Sequence, residues 1–100
     1  METDNKIKYL RESWGKEDLY VIRDNLCLGL YEIFSLAYSS SLQNVETANK
    51  RRHWTEEEDR FLKDYSNELS IGQACNLLYR SRYATYQRVK MLNLTEMIGK

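Results

Sequence analysis

One hundred residues suffice for one compact domain or two very small ones, which leaves little room for an elaborate catalytic cleft. The hydrophobic share is 42%, proline is absent and glycine occurs four times, so nothing divides the chain into short strands. Fifteen basic and fifteen acidic residues give a net charge of zero, which by itself argues against a nucleic-acid ligand. Apolar residues at helical spacing throughout the chain predict an all-α fold.

The charge is distributed unevenly along the chain. Residues 1–49 carry five basic and eight acidic side chains, a balance of −3, whereas residues 50–100 carry ten basic and seven acidic, a balance of +3. No carboxylate lies between Glu68 and Glu96. A long segment with cations and no acids is typical of a surface that approaches phosphate groups. The cations of this segment are Arg80, Arg82, Arg88 and Lys90.

The first half of the chain, residues 1–50, predicts a helical unit. Helices are expected near residues 16–26, 30–38 and 41–52, with Gly15 as the cap of the first, after a weak turn at Ile7–Leu10. The string from Trp14 to Asp18 aligns with Trp54 to Glu58 at a period of 40, which favours a degenerate internal repeat. The alternative is an unrelated helical extension that completes the core of the second half. Its contributing side chains would be Leu26, Leu30 and Phe34.

A basic cluster, Lys50, Arg51 and Arg52, joins the two halves. It has two interpretations that can both hold. Cations at the end of a helix complement the helix dipole, and cations at a domain junction can also bind a phosphate backbone. The neighbouring His53 is the only histidine of the chain, which argues against a histidine metal site or a catalytic triad.

The second half, residues 51–100, predicts three helices with recognisable starts. Thr55 followed by Glu58 has the spacing of a capping box, and Trp54 before it is expected to be buried in the core with Leu62, Leu78 and Leu92. Ser70 is predicted to cap a short second helix that ends near Tyr79. Ser81 is predicted to cap a third helix from about Arg82 to Leu92.

The third predicted helix has two chemically different faces. Thr85, Val89 and Leu92 are spaced i, i+4 and i+7, which predicts a narrow inner face. The outer face combines cations, an amide and two tyrosines, the donors that contact phosphates and base edges in DNA grooves. It consists of Arg82, Tyr83, Tyr86, Gln87 and Lys90. The DNA-binding residues predicted for the whole chain are these five together with Lys50, Arg51, Arg52, Arg80 and Arg88.

The string Trp54-Thr55-Glu56-Glu57-Glu58-Asp59, with Leu62, resembles the opening of a Myb/SANT repeat. The continuation through Leu69-Ser70, Ala74, Leu78-Tyr79-Arg80-Ser81, Ala84, Arg88 and Leu92-Asn93-Leu94 is similar to bacterial and phage Myb-like units of the GcrA type. The resemblance spans about 41 residues and implies a three-helix unit that binds DNA through its third helix, without catalysis. Three positions depart from it. Ile71 and Thr85 stand in regions where eukaryotic repeats carry tryptophan, and Asn93 stands where relatives often have glycine.

These observations predict either two small three-helix bundles in tandem or one fused helical domain. The expected function is that of a small bacterial or phage transcriptional regulator that binds double-stranded DNA. Alternatives are the DNA-recognition subunit of a phage packaging or replication machine, or a SANT-like module that binds or inhibits a host protein, with residues 1–50 as a possible protein-binding part. No enzyme activity, metal, cofactor or membrane segment is expected, and the expected location is the cytoplasm of a bacterial or phage-infected cell. Cys27 and Cys75 are expected to be reduced core residues.

Overall fold

The computed structural model describes residues 3–50 and 52–99. Within these residues all regular structure is helical, which confirms the predicted all-α fold. None of the helices found there is long and apolar enough to cross a membrane. The helices are α1 (Thr3–Ser13), α2 (Leu19–Leu26), α3 (Leu30–Ser39), α4 (Glu56–Asp64), α5 (Ile71–Leu78) and α6 (Arg82–Met91), followed by a 3₁₀ turn, Thr95–Met97.

The start of the chain differs from the prediction. Residues 3–13 form a full helix instead of a weak turn, and the next helix begins at Leu19, with Asp18 rather than Gly15 at its N-cap position. Gly15 lies just after α1 with φ +80°, a left-handed conformation that favours glycine at helix ends. A Cβ atom there would lie 2.5 Å from the carbonyl oxygen of Glu46. Gly15 therefore ends a helix and lets the chain pass close to a second segment.

A helix was predicted over residues 41–52, but the described residues of this range, 41–50 and 52, are not helical. Ser41 adopts φ +64° after α3, and residues 42–50, called the linker segment below, cross α5 without helical structure. The Thr47 hydroxyl donates to the carbonyl of Asn76 (2.9 Å), and the Asn76 side chain donates to the carbonyl of Gln43 (3.0 Å). The second bond satisfies the Gln43 carbonyl, which a helix would have paired internally, and both bonds hold the segment against α5.

The second half follows the predicted boundaries within a residue or two. Thr55 and Glu58 form the predicted capping box, and Ser70 and Ser81 cap α5 and α6 through their hydroxyl oxygens. The α5 cap is also a capping box, because the Gln73 side chain accepts from the Ser70 amide. Asn93 follows α6 with φ +60°, so it adopts the conformation for which glycine was expected.

The buried apolar side chains of both halves form one cluster. Phe61 of α4 is fully buried and lies at its centre, with the ring centroid of Phe34 from α3 at 5.5 Å and that of Tyr65 at 4.7 Å. Leu26 and Leu30 belong to the same cluster, as the extension hypothesis predicted. Each half contributes three helices, which is compatible with two small bundles that share a core.

Neither cysteine lies in that core. Cys27 is exposed at the end of α2 and Cys75 is half-buried in α5, and both are free thiols. Burial raises the pKa of the Cys75 thiol. The prediction that both are core residues was wrong, because the apolar neighbours of a residue in the sequence do not lie on the same face of a helix.

Candidate nucleic-acid interface

Helix α6 presents the two faces that its sequence predicts. Thr85 and Val89 are completely buried, and the Thr85 hydroxyl donates to the carbonyl of Ser81 (3.0 Å). Leu92 is half-buried against the core. On the opposite face Tyr86 is half-buried and the others are exposed, with Tyr83 at 72% of its full exposure. The exposed residues of this outward face are Arg82, Tyr83, Gln87 and Lys90.

Tyr79 anchors the turn before α6 to the first half of the chain. This residue has φ +52°, ends α5 and is almost completely buried. Its hydroxyl accepts from the Gly15 amide (2.7 Å) and donates to the carbonyl of Glu17 (2.9 Å), while its ring meets Trp14 edge-on at 5.0 Å. Burial raises the pKa of the Tyr79 phenol, so it stays protonated and keeps both bonds. The first half of the chain thus holds the start of α6 in place.

Arg80 and Arg52, predicted to contact DNA phosphates, are both paired inside the protein. Both guanidinium groups point into the protein, where they bind the fully buried carboxylate of Glu58. Arg80 Nε donates to Glu58 Oε2 (3.0 Å) and Arg52 Nη2 donates to the same oxygen (2.8 Å). Burial lowers the pKa of the Arg52 guanidinium, and Glu58 opposes that shift. We call these three residues the buried ionic cluster.

The arginines of the buried ionic cluster also donate hydrogen bonds to backbone carbonyls outside the helical hydrogen-bond pattern. Arg80 donates to the carbonyls of Arg52 (2.6 Å) and His53 (3.1 Å), and Arg52 donates to the carbonyl of Leu78 (2.8 Å). The sequence alone cannot distinguish Arg80 from a phosphate-binding arginine, because its partner Glu58 lies 22 residues away on α4.

Trp54 lies over this cluster instead of in the core. It is half-buried, with the Arg80 guanidinium 4.1 Å and the Arg88 guanidinium 5.4 Å from its ring centroid. A cation over an aromatic face is a favourable contact that also shields the charge from water. The prediction of a tryptophan buried among leucines was therefore wrong, because Trp54 is only partly buried and packs against the core.

Arg88 is also held within the protein, although less deeply. Its Nη2 and Nε atoms donate to the two carboxylate oxygens of Asp59 at 2.6 and 2.8 Å, a bidentate pair that fixes the guanidinium. Asp59 raises the pKa of Arg88. The structure thus uses Arg88 to join α6 to α4, and its charge is already paired.

The two described residues of the basic cluster at the junction, Lys50 and Arg52, both form ion pairs. Lys50 Nζ donates to Asp18 (2.8 Å) and lies 4.7 Å from the centre of the Tyr20 ring. The pair with Lys50 lowers the pKa of Asp18. Arg51 lies outside the described residues. Lys50 therefore bridges the two halves of the chain, a role that the sequence did not indicate.

A polar cleft of about 560 Å³ opens beside the start of α6. The linker segment forms one wall, and the first turns of α5 and α6 form the other. Asn49 reaches across, because its side-chain oxygen accepts from the Ser81 amide (3.2 Å). The cleft also contains one carboxylate, Glu46, and one exposed cation, Arg82. These residues of the linker segment were predicted on a helix, so the sequence did not reveal the cleft.

Among the described residues no three His, Cys, Asp or Glu side chains lie close enough together to hold a metal ion. Comparisons with protein-family models, with curated proteins and with solved structures gave no match. The resemblance to Myb-like units therefore remains a prediction from the sequence.

Proposed function

We propose that the protein binds double-stranded DNA and that α6 is its recognition helix. The observation that supports this best is the composition of its outward face, where exposed Arg82, Tyr83, Gln87 and Lys90 follow a tight, well-anchored turn. An α-helix with its side chains is about 10–12 Å across, which fits the major groove of about 12 Å width. The regulatory or packaging role expected from the sequence would build on this contact.

The outward side chains are of three chemical kinds: two cations, one amide and one phenol. Arg82 and Lys90 are cations that can bind phosphates or guanine, and Gln87 can pair with adenine through its amide. The hydroxyl of Tyr83 can donate to a phosphate oxygen. Of the ten residues predicted from the sequence, these four and Tyr86 remain in the proposal. Four of the others, Lys50, Arg52, Arg80 and Arg88, are paired within the protein.

The electrostatic surroundings of α6 support a polyanionic ligand. Neither Arg82 nor Lys90 forms an ion pair with any described residue, and Lys90 Nζ lies 5.5 Å from the centre of the Tyr86 ring. The carboxylates nearest in sequence to α6 are Glu68 and Glu96, outside the helix on both sides. Two cations without an ion-pair partner attract phosphates and steer association, even though the carboxylate of Glu46 lines the cleft beside Arg82.

The first prediction concerns the salt dependence of binding. Lys90→Ala should reduce the slope of log affinity against log salt concentration by about one, because one phosphate contact is lost. The measurement is fluorescence anisotropy with a labelled duplex at several salt concentrations. Lys8→Ala removes an exposed lysine from α1 and serves as the control. Binding that does not weaken with salt would argue against DNA and for the alternative of a protein-binding module.

The second prediction concerns sequence discrimination. The double change Tyr83→Ala, Gln87→Ala should lower the preference for a selected site over scrambled DNA by about 1–3 kcal/mol per lost base contact. Both residues are exposed, so the fold should be unchanged in circular dichroism. The matched control, Val21→Ala with Asn5→Ala, removes an exposed apolar side chain and an exposed amide from the first half. Equal loss of discrimination in both variants would exclude α6 as the specific reader.

A further inference from the structure

An apolar groove of about 620 Å³ runs beside the outward face of α6, on the side of the C-terminal turn. The start of α5, the first half of α6 and the 3₁₀ turn form its walls. Met97 is completely buried at the groove and Ile98 is 40% exposed. The side chains that line it are mainly those of Ile71, Arg82, Tyr83, Tyr86, Met97 and Ile98.

This groove is continuous with the proposed DNA-binding face. Tyr83 and Arg82 belong to both, and none of the lining residues is acidic. Among the described residues only four large apolar side chains are exposed, and two of them, Tyr83 and Ile98, line the groove. This small apolar surface beside a cation can receive an apolar group of a polyanionic ligand.

We infer that the groove receives the C5-methyl group of a thymine, so that Tyr83 and Ile98 determine specificity for a thymine at the site. This inference rests on the proposed function. Thymine C5-methyl is the apolar group that the base pairs present in the major groove, and the remaining base edges there are polar. When α6 lies in the major groove, an apolar surface beside its first turns faces base edges. The free cation Arg82 at the same place complements the phosphates that flank them.

The experiment replaces single thymines by uracils in a duplex that the full-length protein has selected from random DNA. This exchange removes one methyl group and leaves every hydrogen-bonding atom in place. At one position wild-type affinity should fall about fourfold, the equivalent of about 0.8 kcal/mol for one buried methyl group. Ile98→Ala should weaken binding to the thymine duplex to a similar degree and abolish the difference between thymine and uracil there. Val21→Ala, which shortens an exposed apolar residue of the first half, should keep the full difference.

The outcomes separate this inference from the proposed function. Absence of DNA binding by the wild-type protein would overturn both. Selective binding that no uracil weakens, or a selected site without thymine, would overturn the thymine contact alone and leave the groove for a protein partner. If the uracil effect persists unchanged in Ile98→Ala, the methyl group contacts another part of the face, and the assignment to this groove is wrong. Circular dichroism of each variant confirms that the helical fold is intact.

Discussion

Replacing Glu58 with glutamine is expected to lower the free energy of unfolding by about 3–5 kcal/mol, the cost of removing one partner from a buried ion pair. Glu58 is completely buried and is the carboxylate partner of Arg52 and Arg80. Glutamine carries no charge and only one acceptor oxygen, so two guanidinium groups remain side by side in the interior without a counter-charge and lose part of their hydrogen bonds. A protein of 100 residues has about 5–15 kcal/mol of stability, so the loss is a large part of the total.

The measurement is urea denaturation of wild type and variant, followed by circular dichroism. Glu56→Gln is the matched control, because Glu56 lies in the same first turn of α4 and is exposed. It should change stability by less than about 0.5 kcal/mol. Similar effects of the two changes would show that the buried ionic cluster contributes no stability and that its arginines are free to act elsewhere.

The cluster also connects stability to the proposed function. Arg80 is the second residue before α6, and its side chain holds the carbonyls of Arg52 and His53 at the entry to α4. The residue that the sequence suggested as a phosphate anchor therefore ties the start of α6 to the segment before α4. Variants of Arg80 would weaken DNA binding through the fold, which makes Lys90 the better probe of phosphate contact.

Much of the second half could be predicted because its signals are local. Thr55, Ser70 and Ser81 each precede a helix and bond to an amide three residues later, so the start of each helix is specified within one turn. The division of α6 into inner and outer faces follows from the 3.6-residue period alone. The Gln73 part of the α5 cap had the same spacing as Glu58 after Thr55 and could have been found in the same way.

The parts that could not be predicted depend on distant partners. Leu42, Val45 and Ala48 have the spacing of a helix face, but residues 42–50 instead bond to α5 and to the turn at Tyr79. Trp14 and Trp54 align in the sequence, yet Trp14 follows a helix and is buried, whereas Trp54 precedes one and covers a guanidinium. Propensity and periodicity describe neighbours along the chain, and tertiary bonds overrode them at these positions.

Phe61→Ala is expected to cost about 3–5 kcal/mol, because the change opens a large cavity in a completely buried site. The ring of Phe61 lies against Phe34 and Tyr31 of α3 and against Tyr65, the C-cap residue of α4. These contacts join the two halves of the chain at one point. The cavity should therefore destabilise both halves together.

Hydrogen exchange measured by mass spectrometry tests this coupling, with peptides from α2–α3 and from α5–α6 followed separately. In Phe61→Ala the protection of both regions should fall by the same free energy, since one cooperative unit opens as a whole. Tyr83→Ala, the loss of an exposed aromatic side chain, should leave both unchanged. A variant in which α5–α6 loses protection while α2–α3 keeps it would show two independently folding units. The start of α6 would then depend on the second half alone, and the contacts of Tyr79 with Gly15 and Glu17 would not be needed to hold it.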